Sequence, residues 1–140
     1  MAELLRLMSA QLLSSTSRSL RNEDMSLAEL ATIYLLDRDG AMRINGLAAS
    51  LSLSMPVASR VVSALVNRGL IDRREDAEDR RAKMIALTKR GRRLVDSLTI
   101  NLVNETAGVL ETADTPVAKR LAQLFGAMVA EGLTGAPPKK

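Results

Sequence analysis

Apolar residues recur along most of this chain at helical spacing, and the pattern changes to alternation only once. Between Ala2 and about Arg21 they fall at Leu4, Leu5, Leu7, Met8, Leu12, Leu13 and Leu20. That set is wider than one narrow stripe, so it predicts a helix packed on more than one partner. A subunit interface and an ordinary core helix both satisfy it. Ser26, with Glu29 three residues on, forms a capping box. Leu27, Leu30, Ala31, Tyr34 and Leu35 follow at helical spacing, with Tyr34 read as a core residue. Asp37-Arg38-Asp39-Gly40 ends this helix, Gly40 suiting a left-handed C-terminal position. Met42-Arg43 reads as a short link.

Ile44, Leu47, Ala48 and Leu51 fall at i, i+3, i+4 and i+7, the pattern of a two-turn helix. Ser52-Leu53 is the turn. Ser54 then caps a further helix, and Pro56 is tolerated in its first turn because its missing N–H has no helical partner there. Ala58, Val61, Val62 and Leu65 repeat the same spacing and define a buried face. Ser59, Arg60, Ser63 and Asn67 occupy the opposite face, and Gly69 terminates the helix.

Leu70 to Arg74 and Lys83 to Leu87 are strand-like: Ile71 alternates with charged neighbours, and Met84-Ile85-Ala86-Leu87 is mostly apolar. The intervening Glu75 to Ala82 is polar and charged, so this segment predicts a two-stranded hairpin with a solvated tip. Thr88 caps a long helix with apolar positions at Leu94, Val95, Leu98, Leu102 and Val103. A break near Ala113 to Pro116 precedes a last helix with a stripe of Val117, Leu121, Leu124, Phe125 and Met128. Residues 135–140 read as a disordered tail. The fold class is therefore mainly α with a small β-hairpin wing.

Composition narrows the chemistry. The 140 residues hold one Tyr, one Phe and no Trp, so base stacking is not a credible binding mode. The core must be aliphatic, with Met8, Met84 and Met128 expected inside it. There is no Cys and no His, which excludes disulfides, thiol switches, Cys/His zinc sites and His acid–base catalysis. No Gly-rich phosphate loop or carboxylate cluster is present, and the reading is of a protein that is not an enzyme and carries no cofactor or metal. No signal peptide or run of ~20 apolar residues is visible, so a cytoplasmic protein with no membrane partner is expected. The net charge is +4, yet residues 60–93 alone carry +6, from eleven Lys/Arg and five Asp/Glu. A basic block on a nearly neutral body reads as a polyanion-binding surface.

The position of that block defines the candidate site. A helix entering the DNA major groove needs short side chains at its N-terminal end, because the groove is only ~12 Å wide. Ser54, Pro56, Ser59 and Ser63 are short, and Arg60 can reach base edges or phosphates. In the hairpin, Asp79 and Arg81 lie two apart and so face one side of an extended backbone. The carboxylate can aim the guanidinium into a narrow minor groove. Arg73, Arg74, Arg80 and Lys83 would supply phosphate contacts, which set affinity and not sequence choice. The same basic face could instead meet a protein or RNA partner.

These residues carry a resemblance. The run from Leu51 to Arg60, then Leu65 with Arg68-Gly69-Leu70-Ile71-Asp72-Arg73, the wing Asp76 to Ala82, and Leu87-Thr88-Lys89-Arg90-Gly91 together resemble the MarR family of bacterial winged helix-turn-helix regulators. By that resemblance, Asp79 and Arg81 fall on the family's acidic–x–Arg wing motif. Ser54, Pro56, Ser59 and Arg60 fall on its recognition-helix positions. It implies a single domain over residues 1–134, with a winged helix-turn-helix at 26–88 and dimerisation helices at 1–25 and 90–134. The dimer residues would be Leu4, Leu5, Met8, Leu12, Val117, Leu121, Leu124, Phe125 and Met128. The partners implied are a palindromic double-stranded DNA operator, a second copy of the chain, and often in this family a small-molecule effector, with repression the expected outcome.

Overall fold

The computed structural model describes residues 2–75, 83–113 and 115–131, so the expected tail at 135–140 lies outside them. Among these residues the chain runs α1 (Ala2–Asn22), α2 (Leu27–Asp39), β1 (Met42–Arg43), α3 (Ile44–Ser50), α4 (Met55–Asn67), β2 (Ile71–Glu75), β3 (Lys83–Leu87), α5 (Lys89–Thr112) and α6 (Pro116–Ala130). It divides into two compact units, Met25–Val95 and Met1–Asp24 with Asp96–Lys140. No single helix among the described residues is long and apolar enough to cross a membrane.

In the Met25–Val95 unit, local signals set the element boundaries. The capping box forms: Ser26 Oγ accepts from the Glu29 amide at 3.2 Å, and Glu29 Oε2 accepts from the Ser26 amide at 2.7 Å. Two of the helix's orphan donors are thereby satisfied. The buried face of α2 differs from the spacing read above. Leu27 is 64% exposed, whereas Ile33 and Leu36 are buried together with Leu30 and Leu35. Thr32 is buried as well, and its hydroxyl donates to the Ala28 carbonyl at 2.7 Å, which removes the penalty of burying it. Gly40 ends α2 at φ +80°, ψ −162°, outside the left-handed helical well but in a region that essentially only glycine enters.

Two helix ends use one device. Past α3, Ser52 adopts φ +53°, its amide bonds Ala49 O, and the Leu53 amide reaches back to Ala48 O at 2.8 Å. Past α4, Gly69 adopts φ +68°, its amide bonds Val66 O, and the Leu70 amide reaches Leu65 O at 3.0 Å. Both are Schellman closures, which satisfy carbonyls the helix leaves open. The first turns the chain so that α3 and α4 lie at 112° to one another, the geometry of a helix-turn-helix. Ala58, Val61, Val62 and Leu65 of α4 are buried as their spacing predicts, beside Leu47 and Ala48 of α3.

The hairpin is two strands of a larger sheet. β2 and β3 pair antiparallel with Ile71 opposite Leu87 and Arg73 opposite Ile85. The supposed link Met42-Arg43 is a third strand, β1, which pairs with the other edge of β3 so that Met42 lies opposite Ile85. Two residues cannot show alternation, and this strand exists only because β3 has a free edge there.

In the other unit, Leu110 of α5 and Ala118 and Ala122 of α6 form a small buried cluster, against which Leu4, Met8, Ala113, Leu121 and Phe125 pack. Thr115 caps α6, accepting from the Ala118 amide at 3.2 Å. A polar seam joins α1 to α5: Arg18 Nη2 donates to Glu105 Oε2 at 2.8 Å. The buried Ser15 hydroxyl, and after it Arg18, holds the Glu105 carboxyl below the usual carboxylate range. The expected methionine core is corrected. Met8 and Met84 are half-buried, Met128 is 42% exposed, and among the described residues the methionine in the core is Met25. Unbranched Met fits the margins of an aliphatic core as readily as its centre.

Candidate nucleic-acid interface

The outward face of α4 is short-chained and free of acid. Ser54 occupies the N-cap position in extended conformation, but its side chain makes no cap hydrogen bond. Its hydroxyl is therefore not committed to the helix it begins. Pro56 takes the first turn and no acidic residue lies there. Pro56, Arg60 and Ser63 are exposed and Ser59 is half-buried. Arg60 bends back along its own helix, with Nε 3.5 Å from the Pro56 carbonyl, a contact too long to hold it.

The arginines of β2 are treated unequally. Ile71 and Arg73 share one face of the strand; Asp72 and Arg74 share the other. Ile71 is buried, and Arg73, next outward on that face, donates from Nη2 to Ser63 Oγ of α4 at 2.9 Å. Arg74 turns to Asp72, whose Oδ2 accepts from Nε at 3.1 Å and Nη2 at 2.9 Å. Asp72 Oδ1 is buried and finds no partner among the described residues. Thus two predicted site residues, Ser63 and Arg73, are brought together. Arg74 is instead neutralised by a residue that composition and spacing did not single out. Strand alternation was the available signal, because an Arg two residues after a buried Ile lies on the same face of the strand as that Ile. Lys83 is exposed on β3, while Asp79, Arg80 and Arg81 lie outside the described residues.

Further positive charge sits at the beginning of α5, where Lys89, Arg90, Arg92 and Arg93 are exposed and no acid occupies the first turn. Cations there oppose the helix dipole. Among the described residues no group of carboxylates is placed to hold a metal.

The residues expected at a subunit interface separate into two sets. Leu4, Met8, Leu121 and Phe125 pack on the cluster around Leu110. Leu5, Leu12, Val117, Leu124 and Met128 remain exposed, and so does Leu13 at 70% exposure. A cleft of about 620 Å³ opens beside them, lined by Glu3, Leu4, Leu7, Thr112, Ala113, Thr115 and Val117.

Comparison with known proteins supplies the context for this geometry. Residues 25–83 match the model of the MarR family. An uncharacterized HTH-type transcriptional regulator, YhbI of Bacillus subtilis (strain 168), is 28% identical over 111 residues, which is 78% of this chain and 72% of the relative. The crystal structure of RV1404 from Mycobacterium tuberculosis superposes with a TM-score of 0.70 at 29% identity, covering 94% of this chain and 87% of that one. The MepR–DNA complex of S. aureus superposes with a TM-score of 0.63 at 24% identity, covering 94% and 97% of the two chains, a likeness of fold.

Proposed function

We propose that this chain is a transcriptional regulator of the MarR family, whose model matches residues 25–83, that it is not an enzyme, and that it is a homodimeric repressor of a palindromic operator. The observation that carries this reading is the outward face of α4. It is short-chained and acid-free, its N-cap hydroxyl is uncommitted, and a wing arginine is bonded to its flank. Ser54, Pro56, Ser59 and Arg60 enter the major groove, and the helix N-terminus favours a nearby phosphate. Arg81, aimed by Asp79, enters the adjacent minor groove, while Arg80 and Lys83 meet phosphates. Crystals of S. aureus MepR with DNA support the reading by likeness of fold.

Dimerisation rests on the exposed leucines. Leu5, Leu12, Leu13 and Leu124 are each at least half exposed, and such a concentration of large apolar side chains in one small unit marks an interaction surface. Two copies would set their recognition helices about 34–36 Å apart, or a multiple of that spacing. A regulatory ligand, where one acts, would work by binding one dimer geometry better than the other. A cytoplasmic location follows from the role. The test is duplex binding across a salt series. If the dimer neutralises roughly 6–10 phosphates, affinity falls about 10³–10⁵-fold between 50 and 200 mM salt. A flat response, or preferential capture of RNA over duplex, defeats the proposal.

A further inference from the structure

We propose that Ser63 and Arg73 form a clamp for a single backbone phosphate at the rim between α4 and β2, with Arg73 the phosphate ligand and Ser63 the residue that positions it. The proposal rests on the DNA-binding reading above and divides labour within it. Sequence treats Arg73 and Arg74 as equivalent neighbours. The structure does not. Arg74 presents Nε and Nη2 to one oxygen of Asp72, so its charge is compensated and its fork is occupied. Arg73 has a neutral hydroxyl as its partner, at 2.9 Å, and no carboxylate of the described residues pairs with it. Among the described residues its charge is therefore uncompensated, and the residue is exposed.

The donor count favours a phosphate. A guanidinium carries five N–H donors, and the bond to Ser63 uses one. A serine hydroxyl that accepts from Arg73 keeps its own proton to donate. Both residues are exposed, so the remaining donors meet solvent or a ligand and not the protein interior. A guanidinium and a hydroxyl held side by side suit two oxygens of one phosphodiester, with the charge-assisted bond the stronger of the two. Strand alternation fixes the direction. Ile71, two residues earlier on the same face, is buried, and so Arg73 stands where that face emerges beside the recognition helix. Because the bond spans α4 and the wing strand, it also holds the wing in register with the helix.

The experiment uses the full chain and a duplex enriched by it from a random-sequence pool, rebuilt with neutral methylphosphonate linkages one position at a time. Wild type is expected to lose affinity by about tenfold or more at one linkage in each half-site, the scale of a hydrogen bond to a charged group. Arg73→Ala binds the unmodified duplex more weakly by a similar factor, is indifferent to that linkage, and shows a salt slope shallower by about 0.9 for each phosphate released. Arg74→Ala keeps the sensitivity at that linkage. Ser63→Ala, which leaves every charge in place, reduces the penalty there, and Ser63→Thr, which restores a hydroxyl, recovers it. If Arg73→Ala retains the wild-type linkage profile and slope, or Arg74→Ala is the variant that loses them, the clamp is wrong while DNA binding stands. If no duplex is enriched at all, both readings fall together.

Discussion

Gly91 lies against the backbone of Leu70 so closely that a Cβ at Gly91 would overlap the Leu70 carbonyl oxygen and stand 2.9 Å from Leu87 Cδ2. The first turn of α5 is thus seated on the junction where α4 gives way to β2. Thr88 fastens the same point. Its hydroxyl donates to Gly69 O at 2.7 Å, with Leu70 O at 3.2 Å, and accepts from the Gly91 amide at 3.0 Å. One side chain therefore caps α5 and ties it to the end of α4. The threonine and glycine of Leu87-Thr88-Lys89-Arg90-Gly91 have a physical reason that the run alone does not disclose.

Gly91→Ala is expected to destabilise the protein by about 1–3 kcal/mol, the scale of forced overpacking, since the atom it meets is backbone and cannot swing aside. Thr88→Ala is expected to cost about 1–2 kcal/mol as a lost helix cap. Urea unfolding midpoints measure both. A Gly91→Ala midpoint equal to wild type would mean that α5 is not seated on Leu70.

The two left-handed closures predict opposite responses to substitution. Gly69→Ala places a Cβ in the left-handed region, which costs roughly 1–2 kcal/mol, partly offset by about 0.4–1 kcal/mol of lost unfolded-state entropy. Ser52→Gly reverses both terms. Strain is the larger, so Gly69→Ala should lower stability and Ser52→Gly raise it, each by roughly 0.5–1 kcal/mol. Two shifts of the same sign would contradict the assignment.

Glu105 predicts a pH dependence of definite sign. Its carboxyl is held below the ordinary range by Ser15 first and then Arg18. A depressed folded-state pKa stabilises fully above the unfolded value, about 4.3 for Glu, and that contribution is lost as pH falls through the folded value. Glu105→Gln should therefore be less stable than wild type at neutral pH and converge with it in acid. The side chain is 37% exposed and its Arg18 partner 49%, so the gap will be small. Urea midpoints of the two proteins, followed from pH 7 downward, give the answer. A gap that widens in acid would reverse the inference.

Self-association should depend on the leucines that stay exposed. Leu124, 57% exposed on α6, leaves the Leu110 cluster intact when replaced. Leu124→Asp is expected to shift sedimentation at micromolar concentration from dimer toward monomer and to weaken operator binding with it, with little change in helical content. A wild-type chain that sediments as a monomer yet binds its operator undiminished would end the dimer proposal.

Local chemistry made much of this protein legible in its sequence. The capping box at Ser26 and Glu29, the glycine stop at Gly69, the buried face of α4, the start of β3 at Lys83 and the break before Pro116 all follow from spacing, caps and turn residues. These are properties of a few consecutive side chains and their own backbone. The same reasoning reached the candidate surface, because a polar face opposite a buried one is visible in helical periodicity.

What periodicity cannot carry is the identity of the partner across space. Met42-Arg43 becomes a strand because β3 offers it an edge. α2 buries Ile33 and Leu36 and leaves Leu27 exposed because burial depends on which neighbours dock against the helix. The two adjacent arginines of β2 look alike in sequence and differ in the fold, since alternation sends one to Ser63, ten residues away, and the other to Asp72. Residue type and spacing determined most of the elements, their ends and the candidate face of α4. Only tertiary packing decided which side chains on that face are already spoken for, because hydrogen bonds and buried contacts between distant segments depend on how elements dock and leave no mark in the local pattern.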